Sequence, residues 1–525
     1  MPVLNDTVLQ LLLLAVVLLP LLGAAAALLP APPGLRGSSP DQAVLRHGVT
    51  VTGLVLLASL VLAAGFDHDR AGQMQATTDI SWIPALDIRL HFGVDGISLP
   101  LIVLTALLTF LCALHTYARR GDGGPSPKAF VALLLVLETG TLATFAVLDL
   151  MLFFLAFEMV LIPMYFFIAR WGGAGREKAA WKFILFTLVG SVVMLLGLLL
   201  VGLEAGTFDM VALAEQQGAG LARGTQLLAV LAIGIGLAVK TPMWPLHSWL
   251  PDAHTAAPTV GSVLLAGVLL KMGTYGLVRI VLPIAPEGAH YFAPYLAAFA
   301  VVGILYGSLA CLALVRQGAG GDLKRLIAYS SVGHMGFVLL GIATLTRGGV
   351  NGALFANLAH GLITGLLFFL VGALKDRTGT TDLDQLAAGG GAALYGRSPR
   401  FGGLLAFAAV ASLGLPGLAG FWGEMLALLG AYHPADGLNR PAYLVFMAAA
   451  GFGTLLTAAY LLLVVRRVCM GDRPPADAAL PDVRRHEYAA WTPLVVLTLL
   501  AGLWPALILG LTDPAVQNLL PGVSR

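Results

Sequence analysis

Seven ionisable side chains stand inside stretches otherwise apolar enough to lie in a lipid bilayer: Glu138, Glu158, Lys240, Lys271, His334, His360 and Glu424. Carboxyl, ammonium and imidazole groups are the side chains that take up and release protons. A Lys or Asp at the centre of a bilayer costs about 2.5–3.5 kcal/mol on insertion scales. Such groups must therefore face a protein interior, water or one another. Groups of both signs on separate segments suggest a chain of proton stations rather than one clamp, with Glu138 the weaker member. A structural reading exists for each, since a buried Glu–Lys pair can lock two helices and a mid-helix histidine can bridge neighbours. Desolvation disfavours the charged form of a buried lysine, whereas a nearby carboxylate favours it. Moving Glu158 towards or away from Lys240 would then load and unload a proton without a cofactor.

Two of the segments are interrupted beside these groups. In AVKTPMWPLHSWLP (238–251), Pro242 and Pro245 follow directly on Lys240. Proline removes an amide donor and clashes with the preceding turn. In lipid such a break is tolerated only where protein or water satisfies the freed carbonyls. In ASLGLPGLAGFWGEML (411–426), Pro416 lies between Gly414 and Gly417, shortly before Glu424. Either kink alone is compatible with an inert helix.

The elements that must carry these residues follow from composition. The chain has 525 residues, 58% hydrophobic and 11% charged, with a mean hydropathy of +0.88. A soluble domain carries about 25% charged residues, so a soluble globular enzyme is excluded. A membrane-spanning helix needs roughly 20 apolar residues. About fourteen stretches qualify, numbered here as spans 1–14: 8–30, 48–65, 98–118, 128–147, 149–169, 179–203, 225–247, 257–282, 291–315, 322–344, 350–374, 402–431, 441–465 and 490–511. The expected fold is an all-α polytopic membrane protein. The flank MPVLNDTV has no Lys or Arg, the wrong charge for a secretory signal, so span 1 reads as a retained helix. Cys112, Cys311 and Cys469 show no metal or redox spacing.

Charge sets the orientation. Of 30 Lys and Arg, 21 fall on one side, including Arg119, Arg120, Arg170, Arg176, Lys324, Arg325, Arg466, Arg467, Arg484 and Arg485. Seven, counting Arg279, fall on the other, and only Lys240 and Lys271 belong to neither. The positive-inside rule places the basic side in the cytoplasm and both termini outside, as in a bacterial plasma membrane. The outer connection 66–97 includes LDIRLHFGVD, whose alternation suggests a short strand or hairpin; a structureless loop is the alternative. The Gly-rich stretch 375–400 suits a linker.

The interrupted spans 7 and 12 are five apart, so they cross in opposite directions. Each is the fourth member of a block of five, spans 4–8 and 9–13. Paired interrupted segments at matching positions point to inverted repeats with a site at their breaks. The organisation expected is 1–127 (spans 1–3 with the outer loop), 128–283 (first repeat), 284–470 (second repeat) and 471–525 (a loop and span 14).

VKTPMWPLHSWLPDAHTAAPTVGSVLLAGVLLKMGTYGLVR (239–279) resembles the signature of the antiporter-like subunits of respiratory complex I and of multi-subunit sodium/proton antiporters. So do FGVDGISL (92–99), LMLFFLAFEMVLIPMYFFI (150–168), KRLIAYSSVGHMGF (324–337) and NLAHGL (357–362). The resemblance implies fourteen helices with inverted five-helix repeats. It implies that Glu158 and Lys240 form the coupling pair, Lys271 the central relay, His334 and His360 its continuation, and Glu424 the terminal station. Glu424 where lysine is usual, and an end at Arg525 soon after span 14, resemble the M-type branch. NADH, FMN, iron–sulfur clusters and quinone are then expected on partner subunits, with no cofactor, metal or catalytic residue on this chain. The expected partners are other membrane subunits, especially the L-type and N-type antiporter-like ones, and the lipid bilayer; no nucleic acid is expected. Two alternatives stay open: a subunit of a multi-subunit Na⁺/H⁺ antiporter or membrane-bound hydrogenase, and a structural subunit whose buried charges only pack helices.

Overall fold

Without water, a spanning segment must satisfy every backbone donor and acceptor internally, and the helix does so within one stretch of chain. The computed structural model describes residues 5–29, 40–119, 125–387, 393–471 and 480–520. Both terminal ends, Arg120 and Arg525, the glycines of 388–392 and the loop 472–479 lie outside the described residues. Among the described residues, twelve helices are long and apolar enough to cross a membrane.

Four expected spans depart from single helices. Span 14 is a pair, Arg485–Leu503 and Ala506–Leu519, bent by 67°. Pro505 stands at the bend, where it lacks the donor needed to continue the helix. Span 12 is split into Pro399–Ala411 and Ala419–Tyr432, each too short to cross alone, with Pro416 in the break as expected. Span 7 ends at Lys240 (Arg223–Lys240) and resumes as Trp249–Ala256. The interruption of span 5 was not foreseen: it is Leu150–Met159 followed by Leu161–Trp171. Pro163 explains it, because its ring clashes with the carbonyl four residues earlier, at Met159. The outer connection is a hairpin, β1 (Gln75–Ile83) antiparallel to β2 (Ile88–Val94) with Asp79 opposite His91. It is pinned from β2, where Arg89 pairs with Asp79 at 2.7 Å and His91 with Asp209 at 2.7 Å.

Burial divides the spans into two classes. Span 8, Thr259–Ile284, is 100% buried over its apolar window, and spans 10 and 11 are 89% and 94% buried. Spans 1, 2, 6 and 13 are 39% buried and show leucines such as Leu203 and Leu455 outward. Lys271, His334 and His360 therefore ride on central helices, and lipid meets mainly apolar side chains.

Two isolated strand bridges share one pattern. Asp149 pairs with Asp209, and Asp322 with Asp382. In each case the backbones exchange two bonds: Leu150 N to Phe208 O and Met210 N to Leu148 O, against Leu323 N to Thr381 O and Leu383 N to Gly321 O. Asp149 caps span 5 and Asp322 caps span 10. The same device thus recurs five spans apart.

Candidate functional site

The longest connected set of buried ionisable groups starts at Lys271. Its helix contains two π-helical turns, Leu265–Leu269 and Leu277–Val281, one on either side of the lysine. A π turn shifts the amide ladder by one residue and leaves carbonyls for other donors. Lys271 Nζ donates to Ala266 O in the first of these turns, and to His360 Nδ1 at 2.7 Å. The close approach of spans 8 and 11 that permits this needs small residues. A Cβ on Gly361 would lie 2.8 Å from Gly267 O.

From His360 the set continues to His334, ring centroids 5.8 Å apart and edge to face. His334 Nε2 bonds Ser412 Oγ at 3.0 Å, and Nδ1 lies 3.4 Å from Glu424 Oε1. Ser412 opens the break in span 12, so the interruption brings a hydroxyl to the histidine. Glu424 Oε2 accepts from Thr454 Oγ1 at 3.3 Å. At Gly414, φ is +72° and a Cβ would lie 2.9 Å from Glu424 Oε2, so glycine serves both the turn and the carboxylate's space. His334, His360, Thr364, Ser412 and Glu424 line a cavity of about 30 Å³. That volume is enough for about two waters. His360 Nε2 has no protein partner.

Lys240 is built differently. It is the last residue of its helix, where the exposed carbonyls favour a cation. Pro242 cannot donate to Ala238 O, and Met243 N takes its place at 2.9 Å. The carbonyl left over, Val239 O, receives the Trp249 indole N–H at 3.0 Å. Here protein, one of the two partners the sequence allowed, satisfies the break. Among the described residues the ammonium has no hydrogen-bond partner, and it lies 4.6 Å from the centroid of the Phe157 ring. Glu158, the next residue, is within electrostatic range of Lys240 but is not hydrogen-bonded to it. Of the expected stations, then, Lys271, His360, His334 and Glu424 are in one line, and Glu158 and Lys240 form a through-space pair apart from it. Glu138 joins neither: it is fully buried and both its oxygens are unpartnered.

Several polar residues escaped the sequence reading. His254 is fully buried, stacked on Phe368 at 4.6 Å, with neither ring nitrogen hydrogen-bonded. Its place between spans 7 and 8, in a segment read as a connection, concealed this. Arg279, counted as an outer-side charge, is buried and paired with Asp95 at 2.5 Å. Lys324, counted on the basic side, is buried and donates to Ala257 O at 2.6 Å. Ser412 and Thr454 carried no signal, because small hydroxyl residues abound in apolar helices as back-bonded side chains. Among the described residues, no His, Cys, Asp or Glu group is arranged to hold a metal ion.

This geometry has close relatives. Residues 147–457 match the model of the family described as NADH:quinone oxidoreductase/Mrp antiporter, TM. NADH-quinone oxidoreductase subunit M of Rhodobacter capsulatus is 42% identical over 501 residues, covering 92% of each chain. NADH-ubiquinone oxidoreductase chain 4 of Marchantia polymorpha is 36% identical over 509 residues, covering 96% of each. A chain of the solved structure of respiratory complex I from Thermus thermophilus with bound NADH superposes with a TM-score of 0.82 at 31% identity, covering 97% of this chain and 100% of that one. With twelve spanning helices among the described residues, breaks in spans 7 and 12 and this level of identity along nearly its whole length, the chain belongs to the NADH:quinone oxidoreductase/Mrp antiporter family of transmembrane subunits.

Proposed function

We propose that this chain is the M-type proton-translocating membrane subunit of an NADH:quinone oxidoreductase, the enzyme of respiratory complex I. The observation that carries the reading is the connected set Lys271–His360–His334–Glu424 buried across spans 8, 11, 10 and 12. Lys271 hands a proton to His360 Nδ1, which already accepts its N–H. The imidazolium so formed releases a proton from Nε2, which has no protein partner, through the small polar cavity towards His334. Glu424 accepts it and is the terminal station. Glu158 and Lys240 gate the entrance of this line. Approach of the carboxylate favours the ammonium and its withdrawal favours the free amine, since desolvation opposes the charge.

The lack of a hydrogen bond on Lys240 supports a switching role, because a locked ion pair would have to be broken at each cycle. The matching Asp149–Asp209 and Asp322–Asp382 bridges support inverted repeats over 128–283 and 284–470, flanked by 1–127 and 471–525. Redox chemistry then belongs to partner subunits carrying NADH, FMN, iron–sulfur clusters and quinone, with L-type and N-type subunits as membrane neighbours. The excess of Lys and Arg on one side supports a plasma-membrane location with both termini outside. Glu424 in place of lysine favours the complex I branch over a cation/proton antiporter or hydrogenase.

The test is Lys240→Ala in inside-out membrane vesicles, with NADH-driven quinone reduction and the pH gradient recorded together. Loss of both in an assembled complex is the expected outcome. Normal turnover with a normal gradient would reduce Lys240 to helix packing.

A further inference from the structure

On the basic side, where spans 3, 5, 10 and 11 leave the bilayer, the chain forms an open recess of about 440 Å³. It is separate from the line described above. Among the described residues its cations are Arg119, Arg170, Arg176, Lys324 and Lys375, against one carboxylate, Asp376. Part of its wall is aromatic: Phe130 and Trp171 meet edge to face at 5.6 Å.

Among the described residues, the charges around the cavity do not balance. Asp376 is engaged by Arg119 at 2.8 Å. Lys324 is 4% exposed and its only hydrogen-bond acceptor is the carbonyl of Ala257, which carries no formal charge. Lys375 acts on Lys324 as a like charge and Asp376 as an opposite one. Arg176 Nη1 reaches only the carbonyl of Gly172, at 3.3 Å. Asp322 also lies within range of Lys324, but its carboxylate is held by Arg325 N and by the Thr381 hydroxyl. Buried or recessed cations without counter-charge are costly, and the recess concentrates their field. A proton-entry vestibule would be disfavoured by that field. An anion is favoured.

The shape of the wall narrows the anion. Guanidinium forks match the oxygens of a phosphate. Rings at the membrane–water boundary suit the glycerol and first methylenes of a lipid, and basic pockets between spanning helices on the cytoplasmic side take anionic headgroups. We infer that this cavity binds the phosphate headgroup of an anionic phospholipid, with Arg170, Arg176 and Lys375 on the phosphate and Phe130 and Trp171 along the glycerol. The inference does not depend on the proton-relay reading.

The experiment uses the purified, delipidated complex in phosphatidylcholine nanodiscs containing photoactivatable phosphatidylglycerol, with labelled peptides mapped by mass spectrometry. Labelling is expected to concentrate on the peptides carrying Phe130, Trp171 and residues 256–260 of this chain. It should fall at least about tenfold in R170Q/R176Q/K375Q, since each basic residue contributes to anionic-lipid attraction, while the proton gradient persists. Photoactivatable phosphatidylcholine on the unaltered complex is the comparison that needs no variant. Equal labelling by that neutral lipid, or unchanged labelling of the triple variant, would overturn the inference. Displacement by millimolar inorganic phosphate would replace the lipid with a free anion. Carbodiimide coupling of Lys375 to an acidic segment of another subunit, without lipid labelling, would make the cavity a protein contact instead.

Discussion

The two lysines in the membrane interior are held in opposite ways. Lys271 has two acceptors, Ala266 O and His360 Nδ1, on a helix buried all round. Lys240 has none, and borrows its stabilisation from a helix C-terminus, an aromatic face and a carboxylate at a distance. A hydrogen-bonded station passes a proton along a fixed path. An unbonded one responds to the field around it. On the function proposed above, the difference separates conduction from control, and it rests on the backbone: π turns free a carbonyl beside Lys271, whereas at Lys240 the freed carbonyl is taken by Trp249.

Removing each ammonium should expose this difference most sharply. Lys271→Ala orphans the buried acceptors, so it should abolish the gradient and also lower complex stability by about 1–3 kcal/mol, the usual cost of an unsatisfied buried group. Lys240→Ala should abolish the gradient without that loss, because no acceptor is left behind. Thermal unfolding of both assembled variants decides it, and equal destabilisation would erase the distinction drawn here.

Glu424→Gln keeps the side-chain shape and its bond from Thr454 but removes the terminal acid. Proton transfer should fall about a hundredfold, the lower end of what general acid–base groups contribute, while Lys240 remains able to respond to Glu158. Gly361→Ala tests the geometry rather than the charges. Its Cβ would press on Gly267 O, so overpacking should cost about 1–3 kcal/mol and lengthen the Lys271–His360 bond. A partial loss of pumping is expected, smaller than that from removing a station. Pumping unchanged with stability reduced would show that the 2.7 Å contact is not required.

The smallest effect is expected away from both lysines, at Asp384 outside the membrane. Backbone bonds from Gly318, together with Arg467 and Gly320, hold its carboxyl down to about 2 from an ordinary 3.8. Because the folded value is the lower one, the stabilisation is complete above the unfolded value and is lost as pH falls towards 2. Asp384→Asn should therefore narrow its stability difference from the parent on acidification across that window, with pumping untouched. The measurement is thermal unfolding as a function of pH.

Much of this protein can be read before any coordinates. Apolar runs of about twenty residues dictate spanning helices, because lipid offers backbone groups no other partner. Pro242 and Pro416 announce their breaks, since proline has no amide to give. LDIRLHFGVD announces a strand by alternation, and β2 covers it. Pro163 in LIPMY carried the same warning for span 5, but an unbroken apolar run hid it. The candidate residue types are equally legible, because charge in lipid is costly enough to mark them.

What the tertiary structure alone decided is which of these charges meet. Lys271 and His360 are 89 residues apart in the chain, and Ser412 and His334 are 78 apart. Their contacts depend on glycines that let two backbones approach and on a break that turns a hydroxyl inwards. Nothing in either local sequence specifies its distant partner. The same holds for Glu138 and Lys324, whose residue types signal cost but not surroundings: one ends unpartnered in the core, the other beside a cationic recess. Composition and periodicity are properties of one segment, whereas pairing is a property of how segments pack, and a proton line consists of pairings.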